Sequence, residues 1–270
     1  MKPKKLGEVM SVTGLNAGDI LLINNRTKNR LYNIAGQKLM RRSSSVNYTH
    51  VALSLGDGIF IHADTARGVD LVFFPDLLDK SGGNWKVIRH MEITDEAEKK
   101  IKKAGIYHFG KAYSYRILMK ENEKSLFCSQ FVDLVYRSIG MSIFSREESK
   151  GLWHLNNALP VDFEGLTIDD KTWSDVTKIY SNELNDNSFE LLKIHFTMQH
   201  SLILSERNMR KDHSTALDLL HALHDSHSLL PDENKNIDLE NNLVGMIEDF
   251  NANGSDFFYD FWNVKPKRTK

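Results

Sequence analysis

The apolar pattern changes its period near residue 94, and this change most limits the folds open to the chain. Before it, apolar residues form strand-length runs punctuated by Gly and Asp, beginning with Gly18-Asp19-Ile20-Leu21-Leu22-Ile23. From His50 the alternation has period two: His50, Ala52 and Ser54 fall on one face, and Val51, Leu53 and Leu55 on the other. Gly56-Asp57-Gly58 is a tight-turn signal, and Ile59-Phe60-Ile61-His62-Ala63 follows as a second run, so a hairpin is expected. Further strands are expected at 69–74 and 85–89, which would give an antiparallel meander. Between the first strand and the hairpin, residues 25–38 suit a short helix, and Arg41-Arg42-Ser43-Ser44-Ser45 reads as a loop.

Beyond residue 94 the period is helical. Thr94 is placed to N-cap a helix with Asp95, Glu96 and Glu98 in its first turn and lysines later, the order a helix dipole favours. After Tyr113-Ser114-Tyr115, the residues Phe127, Phe131, Leu134, Val135 and Ile139 recur at helical spacing up to Gly140, a stop signal. Cys128 therefore falls in the first turn of an amphipathic helix. Past Pro160, apolar stripes over 174–208, 212–230 and 238–252, separated by polar joints, predict a run of helices. The expected class is α+β, with an antiparallel sheet packed on helices over 1–168 and an α-helical C-terminal extension over 169–270.

Composition removes several function classes. The chain has 270 residues and 41% hydrophobic content, enough for one large domain or a domain with an appendage. With 35 Lys+Arg against 36 Asp+Glu, it has no global electrostatic footprint for nucleic acid or anionic lipid. No apolar run approaches the length of a spanning helix, so no integral membrane segment is expected. The basic start, Met1-Lys2-Pro3-Lys4-Lys5, lacks the apolar stretch of a Sec signal, leaving a soluble protein that is cytoplasmic or exported by a signal-less route. One cysteine allows neither an internal disulfide nor a multi-Cys metal site, so Cys128 is either a buried small hydrophobe or a chemical group.

A thiol at a helix N-terminus meets unpaired N–H groups and the positive end of the macrodipole, both of which favour thiolate. A nucleophile also needs a base and a group to orient that base. His50 and His62 lie on two strands joined by a tight turn, which brings them near each other. If His50 faces the Cys128 helix, its imidazole can pair with the thiol while His62 holds the far ring nitrogen.

The stretches Ala17-Gly18-Asp19-Ile20-Leu21-Leu22, Tyr48-Thr49-His50-Val51-Ala52-Leu53, Ile61-His62-Ala63 and Phe127-Cys128-Ser129-Gln130-Phe131-Val132 together resemble the circularly permuted NlpC-type, papain-like cysteine hydrolases. These include the YiiX/YebB-like bacterial enzymes and relatives of lecithin retinol acyltransferase. The permuted members run His first and Cys last, as here. The resemblance spans about residues 15–165, including Leu159-Pro160-Val161-Asp162-Phe163 as a closing segment. It implies Cys128 as nucleophile, His50 as base and His62 as third polar member, with Asp64 as the nearby substitute. Gly110-Lys111-Ala112-Tyr113-Ser114-Tyr115 resembles the family's Tyr-bearing segment; one tyrosine is expected to offer its hydroxyl and the other to pack, with spacing favouring Tyr115 over Tyr113. Backbone N–H groups at the helix start, around Ser129, would stabilise an oxyanion. The implied chemistry is acyl transfer through a thioacyl-enzyme, with no metal or organic cofactor. Cell-wall peptides or acyl-lipid amides are the implied substrates, in a bacterial amidase or secreted antibacterial effector. A lipid-directed acyltransferase or lipase and a catalytically idle binding module stay open as alternatives. The extension could select substrate, cover the cleft or bind a partner such as an immunity or delivery protein.

His221, His224 and His227 recur along one helix face, but without cysteines or an HExxH motif they are expected to form a solvated face near Asp218 and Asp225 rather than a zinc site. Phe257-Phe258-Tyr259 and Phe261-Trp262 are expected to strap the last segment onto a core. The basic Lys38, Arg41 and Arg42 read as a solvated loop, and Gly82-Gly83 as a turn.

Overall fold

The computed structural model describes residues 14–24, 37, 46–79, 81–115, 124–144, 158–184, 189–254 and 257–264. The chain forms two compact units, Met1–Thr197 and Met198–Lys270. The helix expected over 25–38 and the loop at Arg41-Arg42 lie outside the described residues, Gln37 excepted.

The first unit is built on a six-stranded antiparallel sheet. Strands β1 (Ala17–Ile23), β2 (His50–Gly56), β3 (Ile59–Asp64) and β4 (Gly68–Phe73) run as a meander. At the β2–β3 turn Gly56, Asp57 and Gly58 all take positive φ, as a tight hairpin requires. The meander then stops. After helix α1 (Phe74–Leu78) and the turn at Gly82-Gly83, strand β5 (Trp85–His90) pairs with the free side of β1, with Ile20 opposite Ile88 and Ile23 opposite Trp85. Strand β8 (Trp173–Asp175) extends that edge, giving the order β4-β3-β2-β1-β5-β8. Within the 169–270 segment expected to be helical, Trp173–Asp175 is thus a strand; three residues are too few to show a period, and their pairing depends on distant β5.

The alternation assigns the two faces. Leu21, Ile23, Ala52, Phe60, Phe74, Leu77, Val87 and Tyr180 pack into one cluster. Leu53, Leu55 and Ile61 instead meet Gly105 of helix α2 (Asp95–Tyr107), where a Cβ would lie 3.3 Å from Leu55. Helix α3 (Cys128–Ser138) packs on β2 and β3 beside α2. Thr94 caps α2 by accepting the Ala97 N–H, and Gly140 ends α3 at φ 84°. Two short parallel strands, β6 (Ala112–Tyr113) and β7 (Ser125–Leu126), precede α3. Gly68 lets this region approach the sheet, since a Cβ there would lie 2.1 Å from the Lys111 carbonyl oxygen.

A charge inside the β1 run needs a partner. Asp19 is fully buried and accepts two bonds from Arg89 of β5, at 2.7 and 2.6 Å, and one from the Tyr180 hydroxyl at 2.7 Å. Burial pushes this carboxyl up, and Arg89 and Tyr180 pull against it. The cluster ties β1, β5 and helix α5 (Thr177–Leu184) together, while the Tyr136 hydroxyl of α3 donates to the Gly18 carbonyl. Helix α4 (Pro160–Asp169) completes the unit, its first turn held where the Val161 N–H donates to Gln37 at 3.0 Å.

Helix α6 (Phe189–Ser228) is continuous, so the joint expected near residues 208–212 does not exist. Asn208, Arg210, Lys211 and Asp212 are polar, but no Gly or Pro interrupts the backbone there. In the second unit α6 packs against α7 (Ile237–Asn253) through Leu217, Leu220, Leu243 and Ile247, with Phe250 beside them. His227 is buried rather than solvated: its Nε2 accepts the Asn236 N–H at 3.0 Å, holding the start of α7. His213 bonds the Phe250 carbonyl oxygen at 2.7 Å and lies against the Phe250 and Phe257 rings. The aromatic strap docks within this unit, with Phe261 buried, Phe258 exposed and the Tyr259 N–H donating to Glu206 at 2.6 Å. Among the described residues, no helix is long and apolar enough to cross a membrane.

Candidate active site

Cys128 is the first residue of α3, preceded by Phe127 in extended backbone (φ −99°, ψ 166°). The Gln130 side chain reaches back to accept the Phe127 N–H at 3.5 Å, so the α3 start is stiffened from within. The thiol is buried. Burial pushes it up, and backbone hydrogen bonds from Val51 and Ser129 pull it down. The pull of the helix-start hydrogen bonds is therefore the smaller influence here; desolvation of the thiolate outweighs it. Contact with the Val51 backbone also places the sulfur beside the start of β2, one residue after His50.

His50 opens β2, opposite Ile23, and His62 lies in β3, opposite Asp70. Both are buried. The hairpin register brings the two rings together: His50 Nε2 lies 2.7 Å from His62 Nδ1, with centroids 4.9 Å apart and planes at 81°. Asp64 closes a turn instead, its Oδ1 accepting the Ala66 N–H at 2.8 Å.

Tyr113 is half-buried in β6, and Tyr115 is 70% exposed; their rings meet edge-on at 5.0 Å. Burial pushes the Tyr113 hydroxyl well up, and the neighbouring Cys128, Tyr115 and Asp64 add to this, so Tyr113 is the tyrosine coupled electrostatically to the thiol. Ser129 is fully buried and donates its hydroxyl to the Ala158 carbonyl oxygen at 2.7 Å, fixing the entry to α4 against the start of α3.

Residues missed in the sequence support this arrangement. His108, at the end of α2, is buried edge-on to Phe131 at 6.0 Å, and among the described residues its Nδ1 has no partner. Burial, with Lys111 nearby, holds it down to about 3, so it stays neutral. Its position gave no sign, because a lone His after a helix is ambiguous. The Asp19–Arg89 pair did leave one, the acidic Asp19 inside the otherwise apolar run of β1, which calls for a basic partner. Among the described residues, no three His, Cys, Asp or Glu side chains gather as a metal ion would require.

Antiparallel strands that precede the Cys helix in the chain and carry two bonded histidines give the layout of a papain-like thiol enzyme in permuted order. The chain belongs to the permuted papain-like amidase family named for YaeF and YiiX, the C92 family, whose model matches residues 14–187. No curated protein matches it. Among solved structures it is similar to the metalloprotein yiiX from Escherichia coli O157:H7, at 18% identity and a TM-score of 0.41, over 57% of this chain and 81% of that one.

Proposed function

We propose that the protein hydrolyses amide bonds through a thioacyl-enzyme, with Cys128 as nucleophile, His50 as general base and acid, and His62 as the residue that orients His50. The observation that carries this reading is the 2.7 Å contact between His50 Nε2 and His62 Nδ1. It commits Nε2 to His62, and Nδ1 becomes the nitrogen through which His50 acts. In the working tautomer His50 Nε2–H donates to His62 Nδ1, and the Nδ1 lone pair takes the thiol proton. The thiolate attacks the substrate carbonyl carbon, and backbone N–H groups at the start of α3, around Ser129, hold the oxyanion. The imidazolium then protonates the departing amine, leaving a thioester on Cys128. Water attacks that thioester, His50 takes its proton, and the acid leaves as the thiol reforms.

Tyr113, rather than exposed Tyr115, supplies the hydroxyl at the rim of the thiol, because its hydroxyl is the one coupled to Cys128. Tyr115 then contacts substrate outside. The substrate class is a peptide or acyl amide, with bacterial cell-wall peptide as the specific choice and an antibacterial effector as the setting.

Purified protein incubated with muropeptides and with N-acyl amides tests the substrate class. Release of a new amine from muropeptides, absent in Cys128→Ala, supports the cell-wall choice; turnover of acyl amides alone overturns it. Growth arrest on periplasmic but not cytoplasmic expression supports the effector setting, and equal harmlessness in both compartments counts against it.

A further inference from the structure

Helix α6 carries an apolar seam that, among the described residues, the second unit leaves uncovered. From Met198 the positions Leu202, Ser205, Met209, Asp212, Ala216, Leu219 and Leu223 follow at alternating spacings of four and three residues, the repeat of a coiled-coil seam. This seam is separate from the residues that pack on α7, which are Leu217 and Leu220. Its large members stand in solvent: Met198 is 59% exposed, Leu202 58%, Met209 58% and Leu219 61%. A surface helix normally turns such a stripe inward.

The order of residues along the seam identifies what fits it. Read from both ends toward the middle, Met198 matches Leu223, Leu202 matches Leu219, Ser205 matches Ala216, and Met209 matches Asp212. In the three outer matches large therefore opposes large, and small opposes small, when the helix is laid antiparallel on a copy of itself about a two-fold axis between residues 210 and 211; the central match sets Met209 against Asp212. In heptad terms each match joins an a position to a d position, which is how layers form in antiparallel coiled coils. The flanking positions on one side, Ser201, Asn208, Thr215 and Ala222, are uncharged, so no like charges oppose close approach along that edge. On the other side the flanking residues face α7's side of the helix, with Leu220 in the core and His213 on Phe250. We propose that the second unit is a self-association module, in which α6 pairs antiparallel with α6 of a second copy of this chain. Asp212, set in the seam against Met209 of the other copy, acts as the polar position that fixes register at some cost in strength.

Sedimentation of the full chain, with cross-linking as an orientation test, decides this. The expected result is a species of twice the chain mass that dissociates to single chains in Leu202→Glu/Leu219→Glu, with helix content by circular dichroism unchanged. Asp212→Leu is expected to tighten the dimer at least tenfold. In a Cys128→Ser background, Leu202→Cys/Leu219→Cys should form intermolecular disulfides, while either single cysteine should not. A single-chain mass for the wild type at all concentrations overturns the proposal, as does a dimer that survives the double glutamate variant. Efficient cross-linking of Leu202→Cys alone indicates parallel pairing and overturns the antiparallel arrangement.

Discussion

The paired histidines His50 and His62 of the first unit and His213 and His227 of the second are used differently. In the first, His50 and His62 bond to one another, side chain to side chain, inside the sheet hairpin. In the second, His213 and His227 bond to backbone, to the Phe250 carbonyl oxygen and the Asn236 N–H. A histidine bonded to backbone is spent on holding an element end. A histidine bonded to another ring has its tautomer set by a group that can itself adjust, which is the arrangement a proton carrier needs. Histidines are denser along the helical unit, five in residues 198–270 against six in residues 1–197, but partner type favours the sheet.

Four experiments sharpen that contrast, beginning with the largest effect. Cys128→Ala and His50→Ala are each expected to lower kcat by about 10⁴–10⁶-fold, with the double variant no worse than either single one, as steady-state rates would show. Next, Arg89→Met strands the buried Asp19 carboxylate and is expected to cost about 3–5 kcal/mol in urea unfolding of the first unit. His108 gives the third. Its folded-state value of about 3 lies below the ordinary value of 6.5, so the unfolded chain binds the extra proton first. Stability is full above pH about 6.5 and declines as pH falls toward 3, by about 2 kcal/mol at pH 5. His108→Leu should flatten that slope in urea midpoints taken across the range. Smallest is His227→Phe, expected to cost about 1 kcal/mol, seen as faster amide exchange at Asn236 while the hydrolysis rate is untouched.

The parts of this contrast that were legible in the sequence are those set by local pattern. Period-two alternation and Gly56-Asp57-Gly58 placed His50 and His62 on adjacent strands, and helical spacing after Phe127 put Cys128 in a first turn. The crossing of β5 to β1 was not legible, because strand order depends on contacts between residues 20 and 88 that no local window contains. Three-residue β8 was invisible for the same reason. The continuity of α6 through residues 208–212 was hidden because polar residues resemble a joint unless the absence of Gly and Pro is weighed more heavily. His227 looked solvated because its partner, the Asn236 N–H, belongs to the next helix.

The central claim is that His50 activates Cys128 against the upward push of burial. The rate of Cys128 alkylation by iodoacetamide as a function of pH, in the native protein and in His50→Ala, tests it most directly, and the chain has one thiol to follow. The account predicts labelling that persists below the ~8.5 of a free thiol and drops at pH 6–7 when His50 is removed. Equal slow profiles for both proteins, with labelling only on denaturation, would contradict it and leave Cys128 a packing residue.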